Sequence, residues 1–247
     1  MIVMHDRPMT IVEHLEELRR RLLIAFAALG VGTAFGWLFV DRVLDFLIRQ
    51  LQVSQVVFFA PAEALFIRLK IAMLIGVFIG LPVILYQLWS FIAVGLTRME
   101  RRAVMGLLPP SLVLFVLGAA FGLFGIMPVG IRVLLSYQTE TLKPMLAISP
   151  ALSFLMAFVL AFGFVFQLPI VIVFLARLGI VTPATLAAGR RYAAVGIVVL
   201  SALLTPGTDV VSQMLMAVPT YALYEISIWL ARLVAPKEAA GVQAYVE

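Results

Sequence analysis

Acidic residues close to the N-terminus are the side chains best suited to bind a cationic ligand. Glu13, Glu17 and Arg21 follow one another at intervals of four residues, and Glu16 and Arg20 repeat that spacing. Residues four apart are neighbours on a helix surface. The pattern therefore predicts either a solvated face held by ion pairs or a carboxylate that is presented to a cation, and the spacing alone is compatible with both.

Glu100 raises the same question further along the chain. It precedes Arg101 and Arg102 just before a long apolar run. The residue is interpreted either as a helix-start anion, which the helix dipole favours, or as a second carboxylate for a cation.

Two more polar sites are Gln167, among apolar residues, and Asp209, in a cluster of polar residues. Gln167 stands in an aromatic and aliphatic run, where an amide makes an interhelical hydrogen bond or faces water. Asp209 lies in a turn with Thr205, Ser212 and Gln213. A carboxylate at that position is expected to cap the next helix by accepting from the backbone N–H of Ser212 or Gln213.

Common catalytic signatures are missing from the chain. It has no G-x-S-x-G, H-E-x-x-H or G-x-x-x-x-G-K motif. It has no cysteine and two histidines, His5 and His14, so few side chains are available as ligands for a metal ion or haem. The sequence predicts no enzyme activity, no cofactor and no metal site.

Apolar helices must position these side chains. Hydrophobic residues make up 64% of the 247 residues and charged residues only 13%, and the mean hydropathy is +1.12. Since a soluble domain carries about 25% charged residues, this composition excludes a soluble enzyme and indicates an integral membrane protein. The net charge of +5 is then assigned to cytoplasmic loops and not to nucleic-acid binding.

Charge-free runs predict an all-α polytopic protein that forms one membrane domain over residues 1–247. It has an amphipathic N-terminal segment 1–21, a cytoplasmic tail 232–247, and six spans at 22–40, 71–97, 103–131, 150–176, 192–206 and 210–231. Spans five and six have apolar cores of only 13 and 14 residues, Tyr192–Leu204 and Val211–Tyr224. Such short cores predict either a thinned bilayer or helices whose polar ends snorkel.

The basic residues predict the orientation. Of the 18 Lys and Arg residues, 12 fall on the side of the N-terminus and the tail and six on the other side. The side richer in basic residues is expected to be cytoplasmic, which gives an N-in, C-in topology.

Local motifs predict where helices begin, bend and pack. Thr10 to Glu13 resembles a capping box that starts a helix near Ile11, and Glu225 is expected to pair with Arg232. Helix starts are also predicted at Ser149-Pro150 and Thr182-Pro183. Kinks are predicted at Pro82, Pro109, Pro110, Pro169 and Pro219, and close helix packing at Gly76/Gly80 and Gly118/Gly122.

Seven ordered motifs resemble those of the TatC family, the multispan core subunit of the twin-arginine protein translocase. The resemblance covers about Thr10 to Val234. It rests on His14–Leu22, Leu81–Ala93, Glu100–Arg102, the span-three pattern from Phe115 to Pro128, Phe164–Pro169, Leu178–Pro183 and the hairpin from Leu203 to Gln213.

The resemblance implies a receptor for twin-arginine signal peptides in the bacterial inner membrane, working in the export of folded proteins driven by the proton-motive force. By this resemblance Glu17 and Glu100 receive the paired arginines, while Arg19, Leu22 and Phe91 shape the site.

The resemblance also implies a concave bundle and several partners. TatA- and TatB-type single-span subunits are expected at spans five and six, with Thr205 at a partner contact. Asp209, Ser212 and Gln213 are expected in a periplasmic hairpin. Membrane lipid and self-association within the complex are the remaining interactions that it implies.

Gln167 departs from the family pattern, because glutamate is frequent there. Glutamine cannot titrate, so the residue is expected to supply polarity and hydration and not to carry a proton. The main alternative function is a small-solute secondary transporter. That class is typified by internal repeats and several intramembrane ionisable groups, and the sequence displays neither.

Overall fold

The computed structural model describes residues 11–51, 56–57, 59–136, 146–205 and 209–234. The all-α prediction is confirmed, since extended pairing in those residues is limited to β1 (Val56–Val57) and β2 (Leu146–Ala147), which pair in parallel. The helices in chain order are α1 (Ile11–Gly36), α2 (Val40–Gln50), α3 (Pro61–Ile92), α4 (Arg98–Met105), α5 (Leu108–Ala120), α6 (Met127–Leu135), α7 (Ile148–Val165), α8 (Leu168–Arg177), α9 (Pro183–Ala188), α10 (Arg190–Leu204) and α11 (Val210–Val234).

Shorter helical turns link some of these helices. Trp37–Phe39 and Ala93–Gly95 are 3₁₀ turns, and Phe121–Ile126 is a π-helical segment between α5 and α6. The π-helical segment keeps the backbone hydrogen-bonded between α5 and α6, as a lipid environment requires.

Within the described residues, five helical stretches are long and apolar enough to cross a membrane. They are Ile11–Gln50, Pro61–Gly95, Met99–Val133, Ile148–Arg177 and Val210–Val234. The predicted fifth span corresponds to α10, whose 15 residues extend only about 22 Å. The predicted short apolar core of span six belongs to a longer helix, because α11 has 25 residues and continues past Glu225.

The chain divides into two compact units. The first takes Met1–Phe39 and Ala72–Leu112, and the second takes Val40–Ile71 and Val113–Glu247.

Small residues bring α1 and α3 together in the first unit. A Cβ on Gly32 would lie 2.7 Å from the carbonyl oxygen of Gly76, and one on Gly36 would lie 2.9 Å from that of Ala72. A Cβ on Gly80 would lie 3.3 Å from the backbone of Ala28. Position numbers rise along α1 as they fall along α3, so the helices run antiparallel with backbones in close contact. This confirms the packing role predicted for Gly76 and Gly80.

In the second unit, glycine residues pack against phenylalanine residues of a neighbouring helix. Gly118 and Gly122 abut Phe162, and Gly163 abuts the ring of Phe115. Phe115 and Phe162 are fully buried, so glycine in these positions lets α5, the π-helical segment and α7 close around aromatic rings. The packing predicted for Gly118 and Gly122 is confirmed.

The two predicted helix starts have different outcomes. Thr182 is the N-cap of α9, where its hydroxyl accepts from the backbone N–H of Thr185 and Pro183 is the first residue. The prediction for Ser149-Pro150 is wrong, because α7 begins at Ile148 and its N-cap is Ala147. Ala147 is held extended by the pairing of β2 with β1, so the helix starts directly after the strand. Thr10 lies outside the described residues.

The prolines also divide into two groups. Pro82 and Pro219 lie inside α3 and α11, which continue through them. Pro109, Pro110 and Pro169 fall in the first three residues of α5 and α8 and not within a helix interior. Proline is tolerated in a first turn because its missing N–H has no intrahelical partner there. The kinks predicted at these three prolines are therefore helix boundaries.

Candidate functional site

Glu17 lies on α1 in an ion pair with Arg21, one turn further along the helix. Both side chains are shielded, with 22% of Glu17 and 16% of Arg21 exposed. Arg21 also donates from Nη1 to Oε1 of Gln87 on α3 at 3.4 Å. The ion-pair interpretation of the i, i+4 spacing is thus confirmed for Glu17 and Arg21, and the pair is tied to a second helix.

An aromatic contact extends this face of α1. The rings of His14 and Phe91 stack with centroids 4.6 Å apart and planes inclined by 28°. Phe91 lies one helical turn beyond Gln87 on α3. The structure therefore brings Phe91 to the same α1–α3 contact as Glu17, whereas Arg19 and Leu22 lie exposed on α1.

Glu100 lies in the first turn of α4, in the first unit. Its Oε2 accepts from the backbone N–H and from the hydroxyl of Thr97, both at 2.8 Å. A carboxylate three residues after the N-cap satisfies a backbone donor that the helix leaves unpaired. The helix-start interpretation of Glu100 is therefore confirmed, and the cation-binding role remains a prediction.

Gln167 lies at the break between α7 and α8. Its backbone keeps the helical course, with φ −77° and ψ −16°, and its N–H donates to the carbonyl of Phe164 at 2.9 Å. The side chain is half-buried. Pro169 lies in the first turn of α8, so Gln167 stands at a boundary between two helices. The sequence predicts a single span over this stretch.

The predicted hairpin is tied together by its polar side chains. Asp209 accepts from the backbone N–H of Ser212 at 2.7 Å, which confirms its capping role. Gln213 donates from Nε2 to the carbonyl of Val198, so α11 is joined to α10. Thr205 is buried and its hydroxyl donates to the carbonyl of Ser201 at 2.9 Å.

Glu225 is paired with a different residue from the one that the sequence predicts. Glu225 is bound by Arg190 through two hydrogen bonds, of 2.7 and 2.9 Å, and also accepts from the hydroxyl of Tyr221. The direct partner is therefore Arg190 and not the predicted Arg232, which lies two turns away on the same helix, a rise of about 10 Å, and acts on Glu225 only at longer range. The antiparallel hairpin of α10 and α11, which sets the start of one helix beside the end of the other, was the signal available.

The Arg190 guanidinium remains charged throughout the physiological pH range. Hydrogen bonding to Glu225 is the largest influence and raises the pKa of Arg190 above its usual value. The guanidinium therefore keeps its charge as the partner of Glu225 and joins α10 to α11.

Comparison with known proteins identifies the family. Residues 13–219 match the family model TatC, Sec-independent protein translocase protein. The chain is 39% identical to the TatC of Carboxydothermus hydrogenoformans over 240 residues, which is 96% of this chain and 99% of that protein. It is also 39% identical to the TatC of Aquifex aeolicus, covering 93% of this chain and 98% of the relative.

A solved structure agrees with these relatives. The crystal structure of the twin-arginine translocase receptor TatC superposes with a TM-score of 0.80 at 38% identity, covering 90% of this chain and 99% of that one. The apolar helices, the contacts between them and these similarities lead to one conclusion. The chain belongs to the TatC family and is a multi-pass membrane component of a protein translocase, not an enzyme.

Proposed function

We propose that this protein is the receptor of a bacterial twin-arginine translocase, and that Glu17 and Glu100 bind the paired arginines of signal peptides at the cytoplasmic face. The membrane is the bacterial inner membrane, and both termini lie in the cytoplasm. The observation that carries the proposal is the shielded Glu17 carboxylate on α1, at the α1–α3 contact where Phe91 stacks on His14.

Arginine suits such a site better than lysine does. Its planar guanidinium can bind a carboxylate through two parallel hydrogen bonds, whereas an ammonium acts as a point charge. Shielding from water strengthens the pairing with Glu17, because the effective dielectric constant falls. A requirement for two arginines follows if Glu17 and Glu100 each take one.

Recognition at this site is short-range. The predicted cytoplasmic segments hold 12 basic and seven acidic residues, so their net field repels a cationic peptide. Charges separated by more than about 8 Å are also largely screened at physiological salt. Binding then depends on local placement of the two carboxylates and on the apolar surface of Phe91.

We assign the α10–α11 hairpin to TatA- and TatB-type single-span partners, with Thr205 near that contact. Support comes from the outer face of α10, where Tyr192, Val195, Val199 and Leu203 are exposed at helical spacing. Gln167 keeps a polar, water-attracting role within the bundle. These subunits, in a complex that contains several copies of this chain, complete the translocase.

The first prediction tests the two carboxylates. Glu17→Gln and Glu100→Gln should each weaken binding of a twin-arginine peptide about tenfold or more, since each removes a charge-assisted hydrogen bond. Glutamine keeps an acceptor for Thr97, so Glu100→Gln removes the charge while the helix cap remains. The measurement is fluorescence anisotropy of a labelled synthetic signal peptide with the full chain in nanodiscs.

Glu16→Gln is the matched control, because it removes one carboxylate from an exposed position next to Glu17 on the same helix. Its affinity should stay within about twofold of the parent. Wild-type affinity in both Glu17→Gln and Glu100→Gln would disprove the site.

A further inference from the structure

Glu17 already holds a guanidinium group. Arg21 donates to its Oε1 from the same helix. This is the chemical group that the proposed function assigns to the ligand, so the receptor presents an internal arginine at the position where a signal-peptide arginine would bind.

The burial of the pair explains why an internal partner is needed. Only 22% of the Glu17 side chain is exposed to solvent. A carboxylate that is shielded from water and lacks a counter-charge is costly. Arg21 supplies that counter-charge in this structure.

Arg21 makes fewer close hydrogen bonds than Arg190, whose ion pair with Glu225 is more exposed to solvent. Its bond to Gln87 is long, at 3.4 Å, and its Nε is buried without a hydrogen-bond partner. Arg190, by contrast, binds Glu225 through both Nε and Nη2, at 2.7 and 2.9 Å. A guanidinium that binds a carboxylate through one hydrogen bond is easier to displace than one that binds through two.

We propose that Arg21 is an internal placeholder that a signal-peptide arginine displaces from Glu17. The inference rests on the proposed function of Glu17. Gln87 gives the displaced guanidinium an acceptor on α3, so Arg21 remains hydrogen-bonded after exchange. Because only molecules with a vacant carboxylate can bind, the measured dissociation constant equals the intrinsic constant divided by the fraction of molecules in which Glu17 is free of Arg21.

The exchange sets the affinity and leaves the selectivity unchanged. Competition from Arg21 weakens every peptide that uses Glu17 by the same factor, whatever its sequence. The preference for arginine over lysine therefore stays with the geometry of the carboxylates. A weaker resting affinity also favours release of the signal peptide after transport.

The test is the affinity of Arg21→Gln in nanodiscs for two labelled peptides, one with an Arg-Arg pair and one with a Lys-Arg pair. Both peptides should bind about three- to tenfold more tightly than to the parent, and by the same factor. Arg20→Gln is the matched control, since it removes the same charge from an exposed neighbour on α1.

Salt separates displacement from a general charge effect. The gain in Arg20→Gln comes from long-range attraction and should vanish near ~0.5 M salt, where the Debye length is only about 4 Å. The gain in Arg21→Gln should persist there. Arg21→Lys, which keeps a cation beside Glu17, should give a smaller gain than Arg21→Gln.

Weaker binding in Arg21→Gln, or binding equal to that of Arg20→Gln at high salt, would overturn the placeholder. If Arg21→Gln does not fold, Arg21→Lys decides alone, because affinity at or below that of the parent would disprove displacement. The Glu17→Gln variant is measured in parallel. Its loss of binding together with a weakened Arg21 variant would leave the proposed function standing and show that Arg21 orients Glu17 instead.

Discussion

A buried hydrogen bond between side chains connects α3 with α5 in the first unit. Trp89 donates from its indole Nε1 to the hydroxyl of Ser111 at 3.0 Å, and both residues are buried. A polar pair in an apolar interior is worth more to the fold than its net energy suggests, because removing one partner exposes the other to an unfavourable environment.

We predict that Ser111→Ala destabilises the protein by about 1–2 kcal/mol, because the indole N–H loses its acceptor. For a chain of this length the thermal midpoint should fall by about 2–8 °C, measured by fluorescence-detected size exclusion after heating in detergent.

Trp89→Phe in the Ser111→Ala background is the control for this prediction. Because it removes the donor, the double variant should lose less stability than the two single variants summed. Strict additivity would show that the bond does not couple these helices.

Residue-level inference from the sequence worked where partners are local and failed where they are distant. The pairing of Glu17 with Arg21 and the cap at Asp209 follow from separations of three or four residues on a helix. The bonds from Arg21 to Gln87 and from Arg190 to Glu225 join residues 66 and 35 positions apart. Only the packing of helices brings those side chains together, so helical periodicity gave no sign of them.

At the scale of elements, the α1–α3 pair is held by backbone contact between small residues. Gly32 has no room for a Cβ, since the carbonyl oxygen of Gly76 would lie at 2.7 Å. Gly30, two residues earlier on the same helix, has nothing within 4 Å of that position. The two glycines therefore have opposite roles despite their proximity in sequence.

We predict that Gly32→Ala destabilises the protein by about 1–3 kcal/mol, because the helices must separate to admit a methyl group. Gly30→Ala is the matched control and should be neutral or stabilising by up to about 1 kcal/mol, since alanine favours helix where space allows. Thermal midpoints of the two purified variants give the comparison. Equal midpoints would contradict the close packing of α1 on α3.

Helix boundaries were predicted less well than helix packing. The motif Gly76-x-x-x-Gly80 identified a contact face, and the structure confirms it. The predicted start at Ser149 failed because pairing of β2 with β1, which involves residues 90 positions away, fixes the backbone just before α7. The kink predicted at Pro169 is close to the correct position, beside Gln167. The structure has a boundary between α7 and α8 there and not a kink within one helix.

At the scale of the whole molecule, α10 determines the topology. It has 15 residues and extends about 22 Å, against an apolar bilayer core of about 30 Å. If α10 crosses the membrane, the chain has six spans and the tail lies on the side of the N-terminus. If it does not, five spans place the tail on the opposite side. A short crossing helix also requires a locally thinned bilayer or polar ends that reach the interface.

Single cysteines can distinguish these topologies, because the chain has none of its own and the parent protein gives no background. We predict that cysteines replacing the exposed residues Met99 and Ala188 are reached by a membrane-impermeant maleimide only after the cells are opened. Cysteines replacing Phe59 and Val210, also exposed, should react in intact spheroplasts.

Met99 and Phe59 fix the orientation through the long helices, so they calibrate the assay independently of α10. Ala188 and Val210 flank α10, and labelling of both from the same side would show that this helix does not cross. Labelling from opposite sides would require the bilayer to accommodate a 15-residue span, beside the hairpin that we assign to the single-span partners.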